Sequence, residues 1–112
     1  MQLKTQPLAG NAGLVIAFDV DHLDAGNAPE FKEKIQAHLD QNNLVVIDMQ
    51  ALNFVDSSGL GAMLSCLRSM SNKQGQLKLV GLTKPVRALF ELVRMHRIFS
   101  IYNTVEEAQA SI

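Results

Sequence analysis

The sequence lacks tryptophan and has a single cysteine, Cys66, among its 112 residues. A lone thiol cannot form an internal disulfide, and the first residues lack the charged-then-apolar layout of a signal peptide, so we expect a reduced, cytoplasmic protein. No apolar run approaches the roughly 20 residues that span a bilayer. Ten basic and eleven acidic side chains give a net charge of -1. This near-balance argues against nucleic-acid binding and provides no polybasic membrane anchor.

Length and composition predict one domain over residues 1–112. Hydrophobic residues make up 47% and charged residues 19% of the chain, which is ordinary for a globular protein with one core. A second core would have too little apolar surface to bury.

Strand-like and helix-like patterns alternate along the chain, which predicts an α/β domain whose later strands are parallel. The continuous apolar run 44–49 suits a central strand that is covered on both faces. Other strands are predicted within the first ten residues and over 14–18, 52–55, 77–80 and 98–102. Helices are predicted from 27 to about 40–43, from about 58 to 72, from Thr83 through a buried stripe of Val86, Leu89, Phe90 and Val93, and after Thr104.

Three of the predicted helices carry capping signals. Asn27, followed three residues later by Glu30, resembles a capping box, and Thr104 with Glu107 forms a second one. Thr83 is placed to cap the third helix.

The most informative segment is Asp56-Ser57-Ser58-Gly59, which lies between an apolar strand and the start of a helix. Any of the first three residues can cap the free amides of that helix. Gly59 and Gly61 cost helix propensity, about 1 kcal/mol each relative to alanine. Their lack of side chains leaves room for the backbone of another molecule.

A serine at this position also suits regulation by phosphorylation. The modification adds almost two negative charges and three acceptor oxygens. The amides and dipole of a helix N-terminus tolerate that charge, whereas a protein contact that buried it without a cation would be strongly weakened. Phosphorylation would therefore switch binding without unfolding the domain. The simpler alternative is that both serines are only helix caps.

Over nearly its whole length the chain resembles the anti-sigma factor antagonist branch of the STAS domains. The resemblance rests on FVDSSGLG at 54–61, LDAGNA at 23–28, KPVRALF at 84–90 and IF at 98–99. It implies an α/β STAS fold, with a mixed four- to five-stranded sheet and helices packed mainly on one face. It implies phosphorylation at Ser57, with Ser58 mainly structural. The implied partner surface comprises Asp24, Asn27, Asp56, Ser58, Gly59, Leu60 and Gly61.

The resemblance also implies the partners. These are an anti-sigma factor that is a serine kinase with a histidine-kinase-like ATP fold, and a PP2C-type phosphatase that resets the switch. A weak homodimer is a further expectation. The loop 18–24 is more acidic here than the family pattern, in which glycine often precedes the Leu-Asp pair, and this favours a partner with a basic rim.

The sequence gives little support for a catalytic or a metal-binding site. Asp56 lacks a histidine or lysine placed to complete a catalytic set with a serine. The histidines are scattered, and the aspartates of the 19–24 loop lack the spacing of a calcium site. We therefore expect no catalytic residue, no metal and no cofactor. Two rival functions stay open: a non-switching STAS subunit of a larger complex, such as a lipid-transport ATPase partner or a stress-sensing scaffold, and a small hydrolase or nucleotide-binding protein using Asp56 and Ser57.

Overall fold

The computed structural model, which describes residues 1–111, has three strands before its first α-helix, and after that helix strand segments alternate with helices. The strands are β1 (Leu3–Pro7), β2 (Leu14–Phe18), β3 (His22–Leu23), β4 (Leu44–Asp48), β5 (Phe54–Val55), β6 (Gln76–Val80) and β7 (Ser100–Tyr102). The helices are α1 (Ala28–Gln41), α2 (Ser57–Asn72), α3 (Lys84–Leu92) and α4 (Val105–Ala110), with short 3-10 turns at Ala9–Asn11 and Met95–Arg97.

Five strands form one mixed sheet in the order β1-β2-β4-β6-β7. Strand β1 runs antiparallel to β2, and the remaining neighbours are parallel. The predicted mixed sheet with parallel later strands is therefore confirmed. Helices α2 and α3 each return the chain from the carboxyl end of one parallel strand to the amino end of the next. Both helices therefore begin at the same edge of the sheet.

Alternate residues of β4 face two different layers, because successive side chains of a strand point to opposite sides. Val45 and Ile47 belong to the larger core, which α1, α2 and α3 cover. Leu44 and Val46 belong to a smaller cluster on the opposite face, under Ala108 of α4. Three helices on one face and one short helix on the other agree with the expected arrangement.

The minor layer contains a buried lysine. Lys78 Nζ donates to the carbonyl of Ala108 at 2.9 Å and to Ser111 Oγ at 2.6 Å, and lies 5.4 Å from the centre of the Tyr102 ring. Carbonyls at a helix C-terminus carry partial negative charge, so they solvate the ammonium group. The lysine thereby attaches α4 to the sheet.

A second, two-stranded ladder was absent from the sequence prediction. Strand β3 pairs in parallel with β5, with His22 opposite Phe54 and Leu23 opposite Val55. This ladder holds the loop that precedes α1 against the segment that leads into α2. It therefore assembles the site described below.

Two predicted caps and one predicted core residue are wrong. Asn27 and Thr83 occupy the N-cap positions of α1 and α3, but neither side chain makes a capping hydrogen bond. Thr83 Oγ1 instead donates to the carbonyl of Leu52 at 2.7 Å. Val93 is exposed rather than buried, because α3 ends at Leu92 and Arg94 follows with a φ of 62°.

The terminal helix begins as predicted. Thr104 Oγ1 accepts from the amide of Glu107 at 3.1 Å, and Glu107 Oε2 accepts from the amide of Asn103. No helix within residues 1–111 is both long enough and apolar enough to cross a membrane.

Candidate functional site

Asp56 is the N-cap of α2 and joins two parts of the chain. Its Oδ1 accepts a hydrogen bond from the amide of Gly59 at 2.9 Å, which satisfies one of the free donors of the first turn. Its Oδ2 accepts from the amide of Ala25 at 3.1 Å, in the loop before α1. Both carboxylate oxygens are thus engaged by backbone amides.

These amides lower the pKa of Asp56 below its usual value. The Gly59 amide makes the largest contribution, burial opposes it, and the amides of Ala25 and Ser58 add to it. Hydrogen bonds to the charged form stabilise the carboxylate. The side chain is therefore ionised at neutral pH.

The loop from residue 24 to residue 27 is ordered by its own polar groups. Asn27 is buried; its Oδ1 accepts from the amide of Asp24 at 2.9 Å, and its Nδ2 donates to the carbonyl of His22 at 2.9 Å. Asp24 Oδ1 accepts from the amide of Gly26 at 2.9 Å. Asp24 and Asn27 lie in the loop that the amide of Ala25 joins to Asp56, which precedes Ser57. Asn27 shapes this loop from inside and exposes little surface.

The two glycines of the first turn of α2 have opposite surroundings. A Cβ on Gly59 would overlap the carbonyl oxygen of Leu23 and lie 2.9 Å from Val55 Cγ1. A Cβ on Gly61 would meet nothing within 4 Å. The expectation of room for another molecule therefore holds at Gly61 and is wrong at Gly59, where β3 already occupies the space. Leu60 is also buried, because its side chain packs into the core.

Ser57 and Ser58 are both exposed on the first turn of α2. Because Asp56 caps the helix, the expectation that Ser58 is mainly structural is not supported by a capping bond. Ser58 instead lines an open groove of about 520 Å³ between α1 and α2. The groove has small side chains along both helices and one cation, Lys32.

The family model for the STAS domain matches residues 4–108. The chain belongs to the STAS domain family. This confirms the resemblance and the fold class that it implied.

A STAS relative from Listeria monocytogenes, named an anti-sigma-B factor antagonist, is 31% identical over 91 residues, covering 80% of each chain. A Thermotoga maritima protein solved under the designation of anti-sigma factor antagonist superposes with a TM-score of 0.84 at 24% identity, covering 98% of this chain and 93% of that one. The phosphorylated form of Bacillus SpoIIAA superposes with a TM-score of 0.69 at 21% identity, covering 98% of both chains. These two structures share the fold of the STAS domain described here.

Sequence reasoning missed one exposed aromatic residue, Phe54, three positions before Ser57 of this STAS domain. Phe54 was included in an apolar strand, yet more than half of its side chain is exposed. The alternation of side chains along a strand could have predicted this exposure, because a two-residue strand that buries Val55 must turn Phe54 outward.

In the strand paired with Phe54, His22 Nδ1 lies 2.9 Å from Asp21 Oδ1. The hydrogen bond between them raises the pKa of His22 and lowers that of Asp21.

The contacts of Asp56 do not direct its carboxylate at Ser57. The oxygens of Asp56 accept from backbone amides rather than from the Ser57 hydroxyl. Burial raises the pKa of the Cys66 thiol to about 12, which leaves it protonated and unreactive at neutral pH. Across residues 1–111, no three histidine, cysteine or carboxylate side chains lie together as metal ligands would.

Proposed function

We propose that this STAS domain is an anti-sigma factor antagonist, a binding protein whose docking is controlled by phosphorylation of Ser57. The observation that carries the proposal is that Asp56 and Ser57 have different roles at the start of α2. Asp56 caps the helix, so the hydroxyl of Ser57 is not needed for capping and lies exposed beside the loop of Asp24. The name of the Listeria relative supports the antagonist role, and the phosphorylated Bacillus structure supports modification as its control.

The kinase in this proposal is the anti-sigma factor itself, with a histidine-kinase-like ATP fold. The Ser57 oxygen attacks the γ-phosphorus of ATP held by that kinase, ADP leaves, and the hydroxyl proton passes to a base on the kinase. A PP2C-type phosphatase hydrolyses the phosphoserine and restores the hydroxyl. The unphosphorylated antagonist then binds the kinase and frees its client.

The switch acts through charge. A phosphate on Ser57 would stand beside the ionised Asp56 and near Asp24, so one surface would gather about four negative charges when the dianion forms. The exposed first turn of α2 keeps the phosphate in water, so the fold tolerates it. A partner that covers the turn must remove this charge from water, which is costly unless the partner supplies cations.

The partner surface consists of exposed groups supported by buried ones. Ser57, Ser58 and Gly61 lie outward, with Asp24 at the edge of the loop. Asp56 and Asn27 hold the loop and the helix together, and Gly59 and Leu60 pack beneath them. We expect the outward residues to contact the kinase and the buried ones to keep the surface in shape.

The test is binding to the kinase with substitutions at Ser57. We expect Ser57→Asp to abolish binding and Ser57→Ala to bind permanently and to accept no phosphate at this position. Ser71→Asp, which adds the same charge at an exposed serine at the other end of α2, is the matched control and should bind like wild type. Peptide mass spectrometry of protein from its native cells should find phosphate on Ser57.

Two results would contradict the proposal. Unchanged binding by Ser57→Asp would refute the charge mechanism. Absence of phosphate under all growth conditions, combined with isolation in a stable complex, would instead indicate a non-switching STAS subunit.

A further inference from the structure

The end of α3 carries an exposed apolar cluster at the edge of the sheet opposite the serines. We name residues 92–98 the α3 tip. Leu92 is 81% exposed, Ile98 53% and Val93 40%, which makes them three of the four large hydrophobic residues exposed in residues 1–111. Single exposed apolar residues need no explanation, but three within seven residues concentrate exposed apolar surface at one end of α3.

The α3 tip also concentrates positive charge. Arg94 and Arg97 are exposed between the apolar residues, and the sequence contains no acidic residue from 92 to 105. Glu91, which is exposed, directly precedes the tip in the sequence. The near-neutral net charge of the whole chain hides this local excess of cations.

The shape of the α3 tip limits what it can bind. Helix α3 ends at Leu92, Arg94 takes a left-handed conformation with a φ of 62°, and a 3-10 turn over Met95–Arg97 brings the chain back to β7. The apolar side chains therefore project from a tight turn. A rigid protein partner that contacted the tip alone would meet only its seven residues, far fewer than the 20 to 30 on each side of a standard interface.

A second copy of the chain is also a poor match. Pairing of two α3 tips about a twofold axis would bring the two basic patches together, with no carboxylate from residues 92–105 of either copy to offset their charge. A lipid bilayer has neither limitation, since it deforms around a projecting side chain and its anionic headgroups attract arginine.

We propose that the α3 tip binds the surface of an anionic lipid membrane, with Leu92, Val93 and Ile98 entering the headgroup boundary and Arg94 and Arg97 contacting lipid phosphates. The opposite edge of the sheet, with Ser57, then faces away from the lipid. Membrane contact and the proposed phosphorylation switch are independent, so each can fail without the other.

The test is co-sedimentation of the purified chain with vesicles at low ionic strength. We expect binding to phosphatidylglycerol–phosphatidylethanolamine vesicles and weaker binding to phosphatidylcholine vesicles. Leu92→Ser with Ile98→Ser should reduce binding to both at least about tenfold. Arg94→Gln with Arg97→Gln should reduce binding to the anionic vesicles about twenty-five-fold, about fivefold for each arginine, with little change on phosphatidylcholine.

Matched controls distinguish binding through the α3 tip from binding through any other exposed apolar or basic side chain. Lys84→Gln with Arg87→Gln removes two cations from the other end of α3, and Phe54→Ser removes the other exposed apolar side chain; both should bind like wild type. Thermal unfolding of each variant verifies folding, and Arg97→Gln alone replaces the double arginine variant if that one unfolds. The proposal is overturned if the wild-type chain sediments with neither vesicle, if the tip variants bind like wild type, or if the controls lose binding equally.

Discussion

The inner and outer sides of the first turn of α2 differ sharply in how much freedom they leave to a side chain. On the inner side Gly59 faces the carbonyl of Leu23, and both oxygens of Asp56 are taken by backbone amides. On the outer side Ser57, Ser58 and Gly61 face open space. Contacts inside the molecule therefore fix the backbone of the turn, whereas the residues on its outer side have few neighbours. The outer surface can be modified chemically while the backbone of the turn keeps its position.

The largest expected effect comes from adding one methyl group to each glycine of the turn. Gly59→Ala should lower the free energy of unfolding by about 3 kcal/mol, at the upper end for overpacking, because the new Cβ overlaps a backbone carbonyl. Gly61→Ala should instead raise it by up to about 1 kcal/mol through helix propensity. Urea denaturation measures both, and equal effects would show that the two sides do not differ.

Removal of the buried amide from the loop should have the next largest effect. Asn27→Ala leaves the amide of Asp24 and the carbonyl of His22 without their partner, at a cost of about 2 kcal/mol. Gln36→Ala, on the exposed face of the same helix, is the control and should change little. Amide hydrogen exchange should show faster opening of residues 24–27 in the Asn27 variant only.

A smaller, pH-dependent effect is expected at Asp56. Its pKa is lower in the folded state than its usual value of 3.8, so its contribution to stability is fully present above pH 3.8 and is lost as the pH falls through the folded value. Asp56→Asn cannot accept hydrogen bonds at both side-chain positions and should be less stable than wild type at neutral pH. The difference between the two proteins should shrink in acid, and a pH-independent difference would show that the charge is unimportant.

The smallest effects are expected on the outer side. Ser57→Asp and Ser58→Asp should change the free energy of unfolding by no more than about 0.5 kcal/mol, because both side chains are exposed at a helix N-terminus that favours negative charge. Differential scanning calorimetry measures this. A large destabilisation by either variant would mean that the turn does not tolerate the phosphate.

Sequence periodicity predicted the main sheet and its helices because each of those elements buries an apolar stripe or run of its own. It failed where a polar side chain bonds to residues outside its own helix. The local sequence around Thr83 predicts a helix cap, yet its hydroxyl donates to the carbonyl of Leu52, 31 residues away in the sequence. A rule based on neighbouring residues cannot predict a contact over that separation. The pairing of β3 with β5 was missed for a related reason, since two-residue strands have no periodicity to detect.

The sequence predicted which segment forms the candidate site, but not which of its residues face outward. The motif at 56–59 indicated the helix start and left three candidates for the cap. Only the geometry shows that Asp56 takes this position and that Gly59 is needed inside the molecule. The side of a helix start that faces outward is set by the element that packs against its other side. For α2 that element is β3, which no local sequence pattern predicts.

The two hydrogen bonds of Asp56 also make the loop and the helix start thermodynamically interdependent. Ala25 and Gly59 share one carboxylate, so a molecule that immobilises the loop also makes fraying of the serine-bearing turn less favourable. Such coupling is reciprocal: whatever stiffens the turn must, by the same free energy, strengthen binding at the loop. A single side chain therefore allows two segments that are far apart in sequence to respond to one event as a unit.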